Sequence, residues 1–297
     1  MENVDDQHSC LGNDETEVYS VILGNPATTR QSTLQRCSLS NSQHLTMTFS
    51  LFHNEDASPK SASAAVKAYN LQSISQTTPP DVYTKHGEES FRLVMARENG
   101  ADGTEWRVAK SSDGMTVSRG IVPNVSWHCI KSTSRMPCSM TTLADKLNDA
   151  KEMTTFDEMT SSCEVLPSLA PSGTSVRHVK AKPIFPTQVR EFVVISSEHK
   201  AEDGSMIVIA TRSIHHEDVP EVSHLTRATM ILSGYIIRAV DDHTCELTVI
   251  AHIDLGGLLP ATVINLLATE TPLQLMKRMQ RLYGRRPASP SSRPSYH

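Results

Sequence analysis

Apolar residues fall at two distinct spacings along the second half of the chain. In EESFRLVMAREN (88–99) Phe91, Val94 and Met95 recur at helical intervals. A series of short runs in strand-like patterns follows: WRVAK (106–110), MTVSRG (115–120), VSWHCIKS (125–132), SCEVLP (162–167), SVRHVKAK (175–182), REFVVISSE (190–198), SMIVIATRSI (205–214), RATMILSGYIIRAV (227–240) and TCELTVIAHID (244–254). Turn formers such as SSDG, EDGS and DDH separate neighbouring runs by the short distances hairpins need. The pattern predicts a large antiparallel sheet of nine strands. Helical spacing interrupts it at 139–159 and returns only near the end, which excludes a parallel βαβ architecture. The fold class is α+β.

The stretch CELTVIAHIDLGGLLPATVINLLA (245–268) begins as an alternating strand, breaks at Asp-Leu-Gly-Gly and restarts after Pro260 as the most apolar helical segment. Proline suits the first helical turn, where no donor is missed. Ile264, Leu267, Ala268, Leu275, Met279 and Leu282 then predict an apolar stripe. Burying its larger side chains at roughly 1.5–3 kcal/mol each would anchor the helix across a curled sheet. Pro272 removes one backbone donor and predicts a kink. A kinked lid over a deep sheet is a container.

Residues 1–78 are rich in Ser, Thr, Asn, Gln and acids and predict a disordered segment. GRRPASPSSRPSYH (284–297) predicts a flexible tail, leaving 79–283 as the folded domain. Residues 1–60 carry a net charge of −5, and the rest carries 25 charges of each sign, which argues against a nucleic-acid binder. Six cysteines without a C-x-x-C pair predict free thiols in a reducing compartment. The start MENVDDQHSC lacks a signal-peptide pattern, and no apolar run approaches the roughly 18 residues of a membrane span. The expectation is a cytoplasmic monomer.

From about Glu88 to Tyr283 the sequence resembles the START domain, the lipid-transfer module related to the steroidogenic acute regulatory protein. FDEM (156–159) sits where the family has a Trp-Asp or similar pair, and PIFPTQVREFV (183–193) resembles its Pro segment followed by Arg-Asp-Phe-Val. ATRSIHHEDVPEVSHLTRA (210–228) resembles its Arg-Ser, Pro and Val-Arg series, and HIDLGGLLPATVIN (252–265) its Asp-x-x-Gly-x-x-Pro entry to the last helix. Glu191 replaces the commoner Asp, and His224-Leu225-Thr226 stands where many members place a Gly. The resemblance implies a helix-grip fold, a nine-stranded sheet wrapped on the C-terminal helix around a tunnel for one lipid. Sterol-carrying members bury an acid thirteen positions before the Arg of Arg-Asp-Phe-Val and a base six after it; here those positions hold Arg177 and Ser196.

A lipid site needs an apolar cavity with a few orienting polar groups. By alternation Arg190, Phe192, Val194 and Ser196 share one strand face and Val249, Ala251 and Ile253 another, both candidate linings, with Ile264, Leu267 and Ala268 from the last helix. Arg177 is either a headgroup ligand or an exposed strand arginine. The resemblance places the loop SEHKAEDGSM (197–206), with His199, Asp203 and Gly204, beside the last helix at Leu275 as a gate.

His215, His216, Glu217 and His224 match no established metal spacing, and no phosphate-binding loop, G-x-S-x-G or H-E-x-x-H occurs. No cofactor or metal is expected. Asp254 caps the turn into the last helix. The reading is a non-enzymatic carrier of one lipid, sterol or phospholipid, with transient membrane contact and a possible protein partner on the N-terminal segment. The alternatives are a helix-grip enzyme, for which only His252 and Glu191 are candidate acid–base groups, and a lipid sensor or scaffold.

Overall fold

The computed structural model describes residues 71–284 except 126, 128, 184–186, 258 and 260; the N-terminal segment before residue 71 and the tail after 284 lie outside them. The long strands are β2 (Glu105–Ser112), β3 (Met115–Ile121), β4 (Cys129–Met136), β5 (Thr160–Leu166), β6 (Thr174–Ala181), β7 (Arg190–Lys200), β8 (Met206–Ser213), β11 (Thr229–Asp241) and β12 (Thr244–Asp254). They pair antiparallel in the order β2-β3-β4-β12-β11-β8-β7-β6-β5. The expected nine-stranded sheet is therefore present. Two short parallel pairs decorate it: β1 (Ser73–Ile74) with β9 (His215–His216), and β10 (Thr226–Arg227) with the start of β7.

Alternation along the strands divides the side chains between two faces. The outer face is covered by α1 (Pro80–Asn99), whose Val94 packs with Val208, Leu232, Ile236 and Ile250. The approach is close enough that a Cβ on Gly234 would lie 2.6 Å from Val94 Cγ1, so this strand position requires glycine. The inner face carries α2 (Met140–Asn148), α3 (Met153–Phe156) and the last helix, α4 (Ala261–Tyr283). Its core joins Met115, Val117, Ile207, Ile209 and Leu247 to Leu143 and Leu147 of α2 and Met276 and Met279 of α4. No helix of the described residues is long and apolar enough to cross a membrane.

Four expectations shift. Helix α1 starts eight residues before Glu88, because its buried face there is built from Tyr83, His86 and Gly87 rather than a run of aliphatics. The helical pattern of 139–159 divides at Asp149–Glu152 into α2 and α3. Strand β4 lies four residues later than expected, since its inward positions alternate Ile130, Ser132, Ser134 and Met136 and dilute the apolar signal. In α4 the fully buried positions are Leu273, Met276 and Met279, while Leu275 is partly buried and Ile264 and Leu282 are exposed. The stripe is turned by about one residue from the expected phase. Ion pairs of Glu270 with Lys110 (2.7 Å) and Lys277 with Asp113 (3.1 Å), and hydrogen bonds from Gln280 to Ser134 and Arg135, set that phase.

The expected boundary at residue 78 also moves. Ile74 is fully buried with Tyr83, Val176, Val193 and Ile195, and β1 accepts and exchanges backbone bonds with 215–217. A chain begun at Pro79 is expected to be about 1.5–3 kcal/mol less stable in urea than one begun at Leu71, the loss being the burial of Ile74.

Candidate functional site

Reading partners across the sheet gives one continuous inner row: Ser175, Ser196, Thr211, Ser233, Ala251, Ile130 and Arg119, each opposite the next on the neighbouring strand. Four of the seven carry hydroxyls. Thr211 donates to Ser196 Oγ at 3.1 Å, and Arg177 Nε donates to Ser175 Oγ at 2.8 Å. On one side of this polar row stands the large inner core. On the other is a separate apolar cluster of Phe192, Val194, Ala228, Val179, Met230, Ile253 and Leu255. Among the described residues the two clusters do not merge.

Accessibility shows why. Thr211, Met230, Ser233, Tyr235, Ala251 and Ile253 belong to strands with neighbours on both sides, yet each retains accessible surface, as do Leu267 and Ala268 of α4. Their outward-facing neighbours Ala210, Leu232, Ile236, Ile250 and His252 are closed off beneath α1. The accessible surface therefore lies on the inner face of the sheet, the face on which α4 packs. Tyr235 packs on the inner core with its ring edge-on to Phe156 at 6.3 Å. Burial, then the Asp157 charge, push its phenol well above the ordinary tyrosine range, so it stays a neutral hydroxyl.

The candidate residues named from sequence distribute unevenly over this site. Phe192, Val194, Ser196, Val249, Ala251 and Ile253 all lie on the inner face, and Leu267 and Ala268 are partly buried above it. Ile264 is 38% exposed. Arg190 is inward but committed: its guanidinium donates to Thr187 Oγ1, Gln188 O and Leu255 O. Arg177 is neither exposed nor free. It is 3% accessible and its Nη2 donates to the carbonyl (2.7 Å) and side chain (3.0 Å) of Asn148, where α2 ends. That is a C-terminal cap tying α2 to β6. Arg177→Leu is expected to lower stability by about 1.5–3 kcal/mol in chemical denaturation, the worth of a hydrogen bond to a charged group.

The proposed gate requires correction. Strand β7 runs on to Lys200, so His199 is a strand residue that alternates outward and stacks on Phe91 of α1 at 4.9 Å. The hairpin turn is confined to 201–205, where Asp203 holds Ser205 and Gly204 supplies φ of 69°. One flank lies against α2, with Asn148 donating to Glu198 at 3.2 Å, and Leu275 packs on the inner core. The two acid–base candidates are also placed elsewhere. His252 bonds Arg97 (2.8 Å) and the Trp127 carbonyl (2.9 Å) on the outer side, and Glu191 bonds Arg227 and His178 there. Asp254 accepts from Gly256 N at 2.8 Å and shapes the turn before α4. Among the described residues no three His, Cys, Asp or Glu converge as a metal site.

Thr211, Ser233, Tyr235 and Arg119 were not singled out by the sequence. The usable signal was phase: in MTVSRG, Arg119 continues the inward series Met115, Val117, so a charge occupies an apolar register.

A START domain family model matches residues 89–288. The mouse START domain-containing protein 10 is 32% identical over 76 residues, 26% of each chain. The mouse acetyl-coenzyme A thioesterase is 26% identical over 103 residues, 34% of this chain and 18% of the relative. The chain thus spans about a quarter or less of these two relatives. The structure of human StAR-related lipid transfer protein 5 superposes with a TM-score of 0.62 at 16% identity, covering 68% of this chain and 97% of that one. With the family model matching two thirds of its residues, and the sheet and last helix arranged as described, the chain belongs to the START domain family.

Proposed function

We propose that this protein binds one lipid at the accessible part of its inner face and carries it between membranes without altering it chemically. The observation that carries the reading is the hydroxyl row lying between two unmerged apolar clusters on central strands, with accessible surface on the face where α4 packs. Such a lining favours a mostly apolar ligand with a few oxygens to satisfy. Likeness to a human protein named for lipid transfer supports it. Carriage through the cytoplasm as a monomer, with transient membrane contact, belongs to the same proposal.

An enzymatic reading has the partial likeness to the thioesterase in its favour. Its named acid–base groups, however, sit on the opposite face of the sheet from that surface. The sterol version loses its expected acid and base, because Arg177 is engaged by Asn148 and position 196 is a serine.

Transfer of pyrene-labelled phosphatidylcholine and of a fluorescent sterol between vesicles tests the proposal. The protein is expected to accelerate exchange of at least one. Ser233→Trp, placing a bulky ring on that surface, should cut the rate by about tenfold or more while leaving the fold cooperative. No acceleration by the unmodified protein, or an unaffected rate with Ser233→Trp, would exclude carriage on this face; release of coenzyme A from acetyl-coenzyme A would favour the enzyme instead.

A further inference from the structure

Arg119 is one of the few residues with a buried polar atom left without a hydrogen-bond partner among the described residues. It faces inward on β3, its Nε is fully buried, and it makes no hydrogen bond or ion pair with the described residues. A buried donor without a partner costs stability, more so when it belongs to a charged group. Its cross-strand partner on β2 is Arg107, a second cation on the same face, and like charges directly opposite repel. On the adjoining strand β2, Glu105 pairs with Arg107 at 3.6 Å and Lys110 with Glu270 at 2.7 Å. One positive charge is left over, at the end of the hydroxyl row.

We infer that Arg119 holds the anionic group of the bound lipid, a phosphate or a carboxylate, and so selects acidic lipids over neutral ones; the inference rests on the lipid-binding reading above. Two strand spacings, each roughly 4.8 Å, separate the backbone of Arg119 from that of Ala251, with the partly buried Ile130 between them. Past Ala251 the row continues to Ser233 and Thr211, which can meet further ligand oxygens. A guanidinium suits this task because its planar fork matches both phosphate and carboxylate. The anion neutralises the surplus charge and gives Nε the acceptor that the protein withholds.

Binding of three single-chain lipids of equal acyl length to the full chain, by native mass spectrometry, tests the inference: a lysophosphatidic acid, a fatty acid and a monoacylglycerol. Arg119→Leu is expected to weaken one or both acidic lipids by about tenfold or more and the neutral lipid by less than about twofold, with Arg119→Lys intermediate. Loss confined to lysophosphatidic acid assigns a phosphate, and loss confined to the fatty acid a carboxylate. Without lipid, the leucine variant should melt no lower than the parent, since an unpaired donor is removed. Equal effects on all three lipids, no effect, or a marked fall in lipid-free melting temperature would overturn the role of Arg119. Failure of the unmodified protein to bind any of the three would instead remove the lipid-binding reading itself.

Discussion

Replacing Glu191 with alanine is expected to cost about 3–5 kcal/mol of folding stability, the penalty for stranding a buried charge. Glu191 is 2% accessible on the outer face at the start of β7. One carboxylate oxygen accepts from Nε and Nη2 of Arg227, at 3.1 and 2.8 Å, and the other from His178 at 2.8 Å. The backbone of Thr226–Arg227 runs parallel to Arg190–Glu191, so the ion pair fixes a segment that has only a two-residue strand to hold it. The Arg-Glu-Phe-Val and Thr-Arg-Ala segments that carry the family resemblance are thus one device, an acid and an arginine meeting across strands. Urea denaturation should show the loss as a lower midpoint at constant slope.

The same group sets a pH dependence. Burial pushes the Glu191 carboxyl up, but Arg227 and His178 together outweigh it and hold the group below the usual carboxylate range. A folded pKa below the unfolded one, about 4.3, means that the contribution is complete above the unfolded value. It is lost as pH falls through the folded one. The stability gap between parent and Glu191→Ala should therefore be widest near neutrality and close below about pH 4. A gap that stays constant down to pH 2 would contradict the charge pairing.

Met276→Ala is expected to cost about 2–5 kcal/mol, whereas Leu282→Ala should change stability by less than about 0.5 kcal/mol. Met276 is fully buried against the inner core, and Leu282 is 43% exposed. The pair discriminates the observed phase of α4 from the one expected from sequence, in which Leu282 belonged to the buried stripe. Thermal or urea unfolding of both variants reads it directly. Equal losses would mean that the helix sits in the other phase.

Those two residues illustrate what sequence could and could not convey. The nine strands were legible because β-branched runs alternate and turn formers punctuate them; only β4, with serines at inward positions, drifted. Helix phase was less secure: Leu275 and Met276, like Leu282 and Tyr283, are adjacent apolar residues, and ion pairs to β2 and the following turn settle which faces inward. The inward positions of Phe192, Val194, Ala251 and Ile253 followed from alternation alone. Arg177 could not be read, since its role depends on the end of α2, 29 residues away in sequence. The misplaced gate has a similar cause. Strand β7 extends beyond its apolar portion through backbone pairing of Glu198–Lys200 with Ile207–Ile209, which side-chain pattern does not report.

The central claim is that the accessible part of the inner face holds one lipid, and native mass spectrometry of the full chain as purified tests it most directly. The unmodified protein should carry an added mass equal to one intact lipid per chain, and Ser233→Trp should carry none while unfolding cooperatively. A bare chain mass for the unmodified protein, or the same lipid on Ser233→Trp at the same occupancy, would contradict it.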